Sequence, residues 1–90
     1  MQIRFLVLDH EGIFLLGYPL KLSATQQKLL WSIAEGGRRS VDDLHSLLPS
    51  GVGRGSVTVH INAINRKAAE ISRRKLVIYR KGKYEINPLM

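Results

Sequence analysis

The sequence predicts a small α+β domain with an N-terminal antiparallel sheet, three helices and a C-terminal β-hairpin. Three observations lead to this prediction. Short apolar runs separated by turn residues fill residues 2–22. Two serines each stand three residues before a side chain that can complete a helix capping box. A basic stretch with a central glycine, typical of a hairpin, follows the last helical pattern. The 90 residues have room for one domain, residues 1–90.

The N-terminal sheet is predicted over residues 2–22. Ile3 to Leu8 is rich in large apolar residues and indicates a first strand, which ends at a turn that contains Gly12. Ile13 to Leu16 indicates a second strand. After a turn at residues 17–19, Leu20 to Leu22 is predicted as a brief third strand.

The first two helices are predicted at about residues 24–36 and 41–48. Each begins with a serine whose hydroxyl can cap the first turn, followed three residues later by a partner for a capping box. These pairs are Ser23 with Gln26, and Ser40 with Asp43.

The third and longest helix is predicted at about residues 55–72, followed by a hairpin over residues 75–87. Apolar residues recur in this helix at spacings of four, three, four and three, which places them on one narrow stripe. They are Val57, Ile61, Ile64, Ala68 and Ile71. The predicted hairpin strands are Leu76 to Tyr79 and Lys83 to Asn87, and Gly82 supplies the tight turn.

The whole net charge of +7 lies in the last third of the chain. Residues 1–53 carry five Lys/Arg and five Asp/Glu, whereas residues 54–90 carry nine Lys/Arg and only two Glu. A one-sided positive field attracts a polyanion. Because a long helix beside a basic hairpin suits a duplex, the sequence predicts double-stranded DNA as the partner.

Several classes of protein are excluded or disfavoured by composition. The chain has no cysteine, which excludes disulfides, thiolate zinc sites and cysteine nucleophiles. The first apolar run is too short for a signal peptide or a membrane span, so we expect a cytoplasmic protein without a membrane partner. The three histidines are scattered and no nucleophile–base pairing is evident. We therefore expect no metal, no cofactor and no enzymatic activity.

The face of the third helix opposite the apolar stripe carries short side chains and little acid. Such a face can enter the major groove closely, and an Asn can bind the N6 and N7 atoms of adenine. The candidate base contacts are Thr58, Val59, Asn62, Ala63 and Arg66. The alternative is a plain solvated helix face, which usually carries mixed pairs of Lys and Glu.

Other cations and polar groups suit the sugar–phosphate backbone. The candidate backbone contacts are Arg54, Ser56, His60, Lys67, Arg73 and Arg74. The hairpin tip adds Arg80, Lys81 and Lys83, which would follow the backbone or enter a narrow A·T-rich minor groove. The alternatives are a solvated helix end and a hairpin edge whose lysines prevent aggregation.

Three short patterns match a known family. They are Leu22-Ser23 with Gln26-x-x-Leu29-Leu30, Val57-x-Val59-His60-Ile61-x-x-Ile64, and Arg80-Lys81-Gly82-Lys83-Tyr84. With strands, three helices and a hairpin in this order, Phe5 to Asn87 resembles the winged helix-turn-helix effector domain of the OmpR/PhoB-type response regulators. Asn65 stands where that family commonly has Arg.

The resemblance implies sequence-specific binding of double-stranded DNA in transcription regulation. The third helix would enter the major groove, and the hairpin would be the wing on the flanking backbone or minor groove. RNA polymerase and a second copy of the chain on DNA are further implied partners.

Two other functions stay open at this point. Winged helices also serve as protein- or RNA-interaction modules, for which an exposed Val59 and Ala63 would form a partner patch. The glycine-rich segment Gly51 to Gly55 suggests a nucleotide binder or small hydrolase, although it lacks the Lys-Ser/Thr of a phosphate-binding loop.

Overall fold

Four short strands at the N-terminus form an antiparallel sheet in the order β1-β2-β3-β4. Their bounds are β1 Gln2–Ile3, β2 Leu6–Asp9, β3 Gly12–Leu15 and β4 Tyr18–Pro19. The computed structural model describes residues 1–89; Met90, the last residue of the predicted domain 1–90, lies outside the described residues. The α+β class and the N-terminal antiparallel sheet are as predicted.

A turn divides the predicted first strand, Ile3 to Leu8, into β1 and β2. Ile3 pairs with Leu6 across this turn, and Arg4 within it has a φ of 54°. A two-residue hairpin loop requires such a left-handed conformation, which is uncommon for a residue other than glycine. The prediction of one continuous strand is therefore wrong. The sequence did not signal the turn because it contains neither Gly nor Asn.

The prediction of a third strand at Leu20 to Leu22 is also wrong. Leu16 and Gly17, with φ values of 53° and 83°, reverse the chain directly after β3. Pairing therefore resumes at once, and Tyr18 lies opposite Leu15 in β4. Leu20 and Leu22 are buried in the core instead of forming a strand.

The three helices are α1 Ala24–Gly36, α2 Val41–His45 and α3 Gly55–Ser72. Both predicted capping boxes are present: the Oγ atoms of Ser23 and Ser40 accept from the backbone N–H groups of Gln26 and Asp43 at 3.2 and 3.1 Å. α1 ends at Gly37, whose φ of 79° suits a helix C-terminus.

The second helix is shorter than the predicted range 41–48. After His45, the N–H groups of Leu47 and Leu48 donate to the carbonyls of Leu44 and His45, three residues back instead of four. Such bonds tighten the chain into single turns that do not continue an α-helix. Leu48 is nevertheless buried, as expected of the inner face.

A second sheet joins the C-terminal hairpin to the segment between α1 and α2. Its strands are β5 Arg38–Arg39, β6 Val77–Arg80 and β7 Lys83–Ile86, in the order β5-β7-β6. Lys81 and Gly82 form the hairpin turn with φ values of 52° and 79°, which indicates a type I′ turn. β6 and β7 differ by one residue from the predicted strands, and β5 was not predicted.

The apolar stripe of α3 packs into a single core. Val57, Ile61, Ile64 and Ala68 are buried, and Ile71 is partly buried against the core. Burying each large apolar side chain contributes about 1.5–3 kcal/mol, so this packing fixes which face of α3 meets solvent. Within residues 1–89, none of the helices has the length and apolar character needed to cross a bilayer.

Candidate nucleic-acid interface

The outward face of α3 brings the five predicted base-contact residues together. Thr58, Val59, Asn62 and Arg66 are exposed, and Ala63 is partly buried. Val59 is 66% exposed, although it is a β-branched apolar residue. Because Val59, Asn62 and Arg66 follow one another at spacings of three and four, they form one row along the helix.

The start of α3 is held by α2. Arg54, at the N-cap of α3, lies with its Nη2 atom 3.1 Å from Asp42 Oδ1, and His45 Nε2 lies 2.6 Å from the Val52 carbonyl oxygen. No side chain caps α3, but the N–H group of Ser56 donates to Gly53. The Arg54 charge at this end is thus partly offset by Asp42, and Ser56 is partly buried.

Asn65 fixes the C-terminal hairpin against α3. Its Nδ2 atom donates to the Val77 carbonyl oxygen at 2.9 Å, and the Val77 N–H donates to Asn65 Oδ1 at 2.8 Å. Val77 lies in β6, the edge strand of its sheet. The amide thus covers backbone groups that no neighbouring strand pairs, and it sets the position of the hairpin beside the exposed row. The sequence indicates Asn65 only as a difference from the OmpR/PhoB-type domains that it resembles, and this role was not predicted.

A cavity of about 390 Å³ separates the outer face of α3 from the hairpin. Its lining includes Asn62, Lys75 and Tyr79. Tyr79 is 58% exposed, and its ring meets the buried Tyr84 edge to face, with centroids 4.8 Å apart. The cavity therefore presents an amide, an ammonium and a phenol beside the exposed row. Tyr79 was missed as a site residue, and a large aromatic next to the hairpin tip is the signal that could have indicated it.

Arg80 is held by an acid within the hairpin. Its Nε atom lies 2.7 Å from Glu85 Oε1, as an ion pair without an aligned hydrogen bond. Arg38 lies on the same carboxylate at 3.7 Å and donates to the Arg80 carbonyl at 2.7 Å. The Glu85 side chain is only 10% exposed. Part of the Arg80 charge is thus offset, whereas Lys81 and Lys83 are exposed at the tip.

The remaining predicted backbone contacts are spread along α3. His60 is partly buried, and Lys67 lies on the flank that faces the N-terminal sheet, beside Pro19. Arg73 is the C-cap of α3, about 20 Å along the helix axis from Val59. Arg74 Nη1 donates to the Leu89 carbonyl oxygen at 3.1 Å. The structure therefore does not bring Arg73 and Arg74 together with the exposed row.

One carboxylate near this interface has a shifted pKa. The pKa of Asp43 lies below its ordinary value, chiefly because its carboxylate accepts the backbone N–H of Ser40, with a further contribution from the Ser40 hydroxyl. The negative form also suits the first turn of a helix. Asp43 is thus a capping residue, and among residues 1–89 no cluster of three His, Asp or Glu side chains could hold a metal ion.

Comparison with known proteins finds no match to this chain among family models, curated proteins or solved structures. The interpretation of the interface therefore depends on its geometry and charge.

Proposed function

We propose that this protein is a winged-helix domain that binds double-stranded DNA sequence-specifically and regulates transcription. The observation that carries the proposal is the exposed row of Val59, Asn62 and Arg66 on a helix whose opposite face is buried. Next to this row lies a hairpin with a basic tip. α3 would enter the major groove, and the hairpin would lie on the flanking backbone or minor groove.

The shape of α3 supports the major-groove assignment. The helix has 18 residues, which corresponds to about 27 Å, and the major groove of B-DNA admits an α-helix. Val59 and Ala63 present small apolar surfaces that suit a thymine methyl group. Asn62 can make two hydrogen bonds to adenine, and Arg66 can bind guanine or a phosphate.

The hairpin and the cavity beside it support a backbone role. Lys81, Lys83 and Lys75 supply charge without a fixed partner geometry, which suits phosphate oxygens more than base edges. Tyr79 adds a hydroxyl that can donate to a phosphate. These groups would set the register of α3 on the duplex, whereas the α3 row would select the sequence.

Selection of bound duplexes from a random pool, followed by titration of the selected site at several salt concentrations, tests the proposal. With about 4–6 phosphate contacts, log affinity should fall against log salt with a slope of about −4 to −5. Lys81→Ala should reduce that slope by about 0.9, since it removes one contact. Lys28→Ala is the matched control, because Lys28 is exposed on α1 and should leave the slope unchanged. A flat salt response would refute DNA binding.

Asn62→Ala tests base recognition separately. It should relax the preference at one A·T pair, at a cost of about 1–3 kcal/mol there, and leave non-specific affinity intact. An equal loss on all sequences would instead make Asn62 a backbone contact. Binding of the selected duplex by two copies would support the proposed homodimer on DNA, and capture of RNA polymerase on that duplex would support the second proposed partner.

The same measurements address the other candidate functions. Preference for single-stranded RNA over every duplex would favour an RNA-interaction module. A rise in melting temperature with ATP or GTP would favour a nucleotide binder. The glycine-rich segment Gly51 to Gly55 does not favour that function, because it follows α2 and its tight turns instead of a strand.

A further inference from the structure

Two turns of the N-terminal sheet display large apolar side chains at one end of the molecule. Phe5 is 57% exposed and Leu16 is 43% exposed. The N–H of Leu16 donates to the Phe5 carbonyl at 2.8 Å, which holds the two turns side by side. Leu16 also has a φ of 53°, a conformation that disfavours bulky residues. Leu16 therefore leaves much of a large apolar side chain in solvent at an unfavourable turn position.

The C-terminal segment completes an apolar surface around these turns. A cavity of about 200 Å³ is lined by Phe5, Leu16, Ser72, Arg74 and Leu89. Leu89 is 75% exposed, but its backbone is fixed on both sides: its N–H donates to Asn87 Oδ1 at 2.9 Å, and its carbonyl accepts from Arg74 at 3.1 Å. We call Phe5, Leu16, Leu89 and Arg74 the end patch. Because hydrogen bonds hold it in place, a partner would find it largely preformed.

Arg74 gives the end patch a positive charge. It is the one charged side chain among the described residues that line the cavity of about 200 Å³, and no carboxylate side chain of those residues lines it.

We propose that the end patch docks an acidic segment of another protein, one that inserts large apolar side chains and pairs a carboxylate with Arg74. Apolar anchors within a charged rim are the usual design of a protein-docking site. A second copy of this chain does not fit, because the facing patches would bring like charges together and the chain carries a net charge of +7. Nucleic acid does not fit either, since the patch offers it apolar side chains in place of a row of cations.

The end patch is separate from the proposed DNA interface. Ser72, at the patch, lies ten residues beyond Asn62, or about 15 Å along the axis of α3. Both surfaces can therefore be occupied at once. The proposal stands without DNA binding, and its test contains no DNA.

Selection from a library of random short peptides displayed on phage tests the docking proposal. The intact protein is the bait, and the variant Phe5→Ser/Leu16→Asn removes peptides that bind elsewhere. Asn tolerates the positive φ at residue 16, so the turn should persist. Selected peptides should combine two or more large apolar residues with a net negative charge. Their affinity should fall at least about tenfold in the double variant.

Two further variants separate the contributions. Arg74→Gln should weaken acidic peptides several-fold, and added salt should reduce the difference between this variant and the parent. Val59→Ser is the matched control, because Val59 is also an exposed apolar residue but lies on the outer face of α3; it should leave peptide affinity unchanged. Leu16→Asn alone replaces the double variant if the latter does not melt cooperatively.

Several results would overturn the proposal. Enrichment of neutral or basic peptides would contradict the charge argument. Loss of peptide binding in Val59→Ser would place docking on α3. If no peptide binds the parent more tightly than the double variant, the end patch is not a docking site. A dimer in sedimentation that Phe5→Ser/Leu16→Asn abolishes would show that the patch binds a second copy of the chain.

Discussion

Replacing Asn65 by alanine should destabilise the fold through the hairpin, although the side chain lies outside the apolar stripe. The substitution removes both hydrogen bonds between the Asn65 amide and the backbone of Val77, at 2.9 and 2.8 Å. Val77 is only 1% exposed. Its N–H and carbonyl groups would then depend on water, because β6 is an edge strand without a second neighbour.

The expected loss of stability depends on whether water can reach the Val77 backbone groups that Asn65→Ala leaves unpaired. Each hydrogen bond contributes about 1 kcal/mol net, whereas a buried group left dry costs about 1–3 kcal/mol. The cavity of about 390 Å³ borders both Asn65 and Val77, so water can replace the amide. We therefore expect the free energy of unfolding to fall by about 2 kcal/mol, which is less than the loss expected if both groups stayed buried without a hydrogen-bond partner. For a domain of this size, that corresponds to a fall of about 10 °C in Tm.

Asn62→Ala is the matched control for this measurement. It makes the same substitution in the same helix, so the gain in helix propensity, up to about 0.7 kcal/mol, cancels in the comparison. Asn62 is exposed, and its replacement should not lower stability. Urea unfolding of both variants gives the difference directly. A difference below about 0.5 kcal/mol would refute the role of Asn65 in holding the hairpin.

The same pair of variants connects stability to the proposed function. Asn65→Ala should accelerate hydrogen exchange in β6 and lower duplex affinity equally on all sequences, because it frees the hairpin without touching a base. Asn62→Ala should leave hydrogen exchange in β6 unchanged and should alter sequence preference alone. If both variants change sequence preference in the same way, α3 and the hairpin are not separate parts of the interface.

Three further predictions concern the core, the hairpin and the second helix. Ile61→Asp should cost about 3 kcal/mol or more in urea unfolding, because it buries a charge; a parental melting curve would contradict the stripe. Glu85→Gln should steepen the salt dependence of DNA binding by about 0.9, since Arg80 then gains a phosphate partner; an unchanged slope would mean that the carboxylate does not restrain it. The folded-state pKa of Asp43 is lowered, so its stabilising effect should be present above the unfolded pKa and disappear as pH falls through the folded value. Asp43→Asn should flatten the dependence of the free energy of unfolding on pH below about pH 4. An unchanged pH dependence would show that protonation of Asp43 does not weaken its hydrogen bond to Ser40.

The helices were predictable because their signals are local. The capping boxes at Ser23 and Ser40 need only residues three positions apart, and the stripe of α3 needs only a helical period. The exposed row of Val59, Asn62 and Arg66 follows from the same period, since it is the face opposite the stripe. The predicted base contacts are therefore on one surface, while their contact with DNA stays a prediction.

The shortest strands were not predictable from their own residues. β5 has two residues, and it is a strand because Arg38 and Arg39 lie opposite Glu85 and Tyr84 of β7. β4 depends in the same way on a turn in which Leu16 has a positive φ, a conformation that is uncommon for a bulky side chain. Such elements are specified by their neighbours in space.

The sequence by itself determined the α+β class, the three helices with their caps, and the charge that collects in the last third. Each depends on residues within a few positions of one another or on composition alone. The tertiary structure decided that Asn65 holds the edge of β6, that Glu85 restrains Arg80, and that Phe5 and Leu16 share a surface with Leu89. These relations join residues whose separation along the chain ranges from 5 to more than 80 positions. Only the register of the sheets and the packing of α3 bring them within contact, and neither follows from a local pattern.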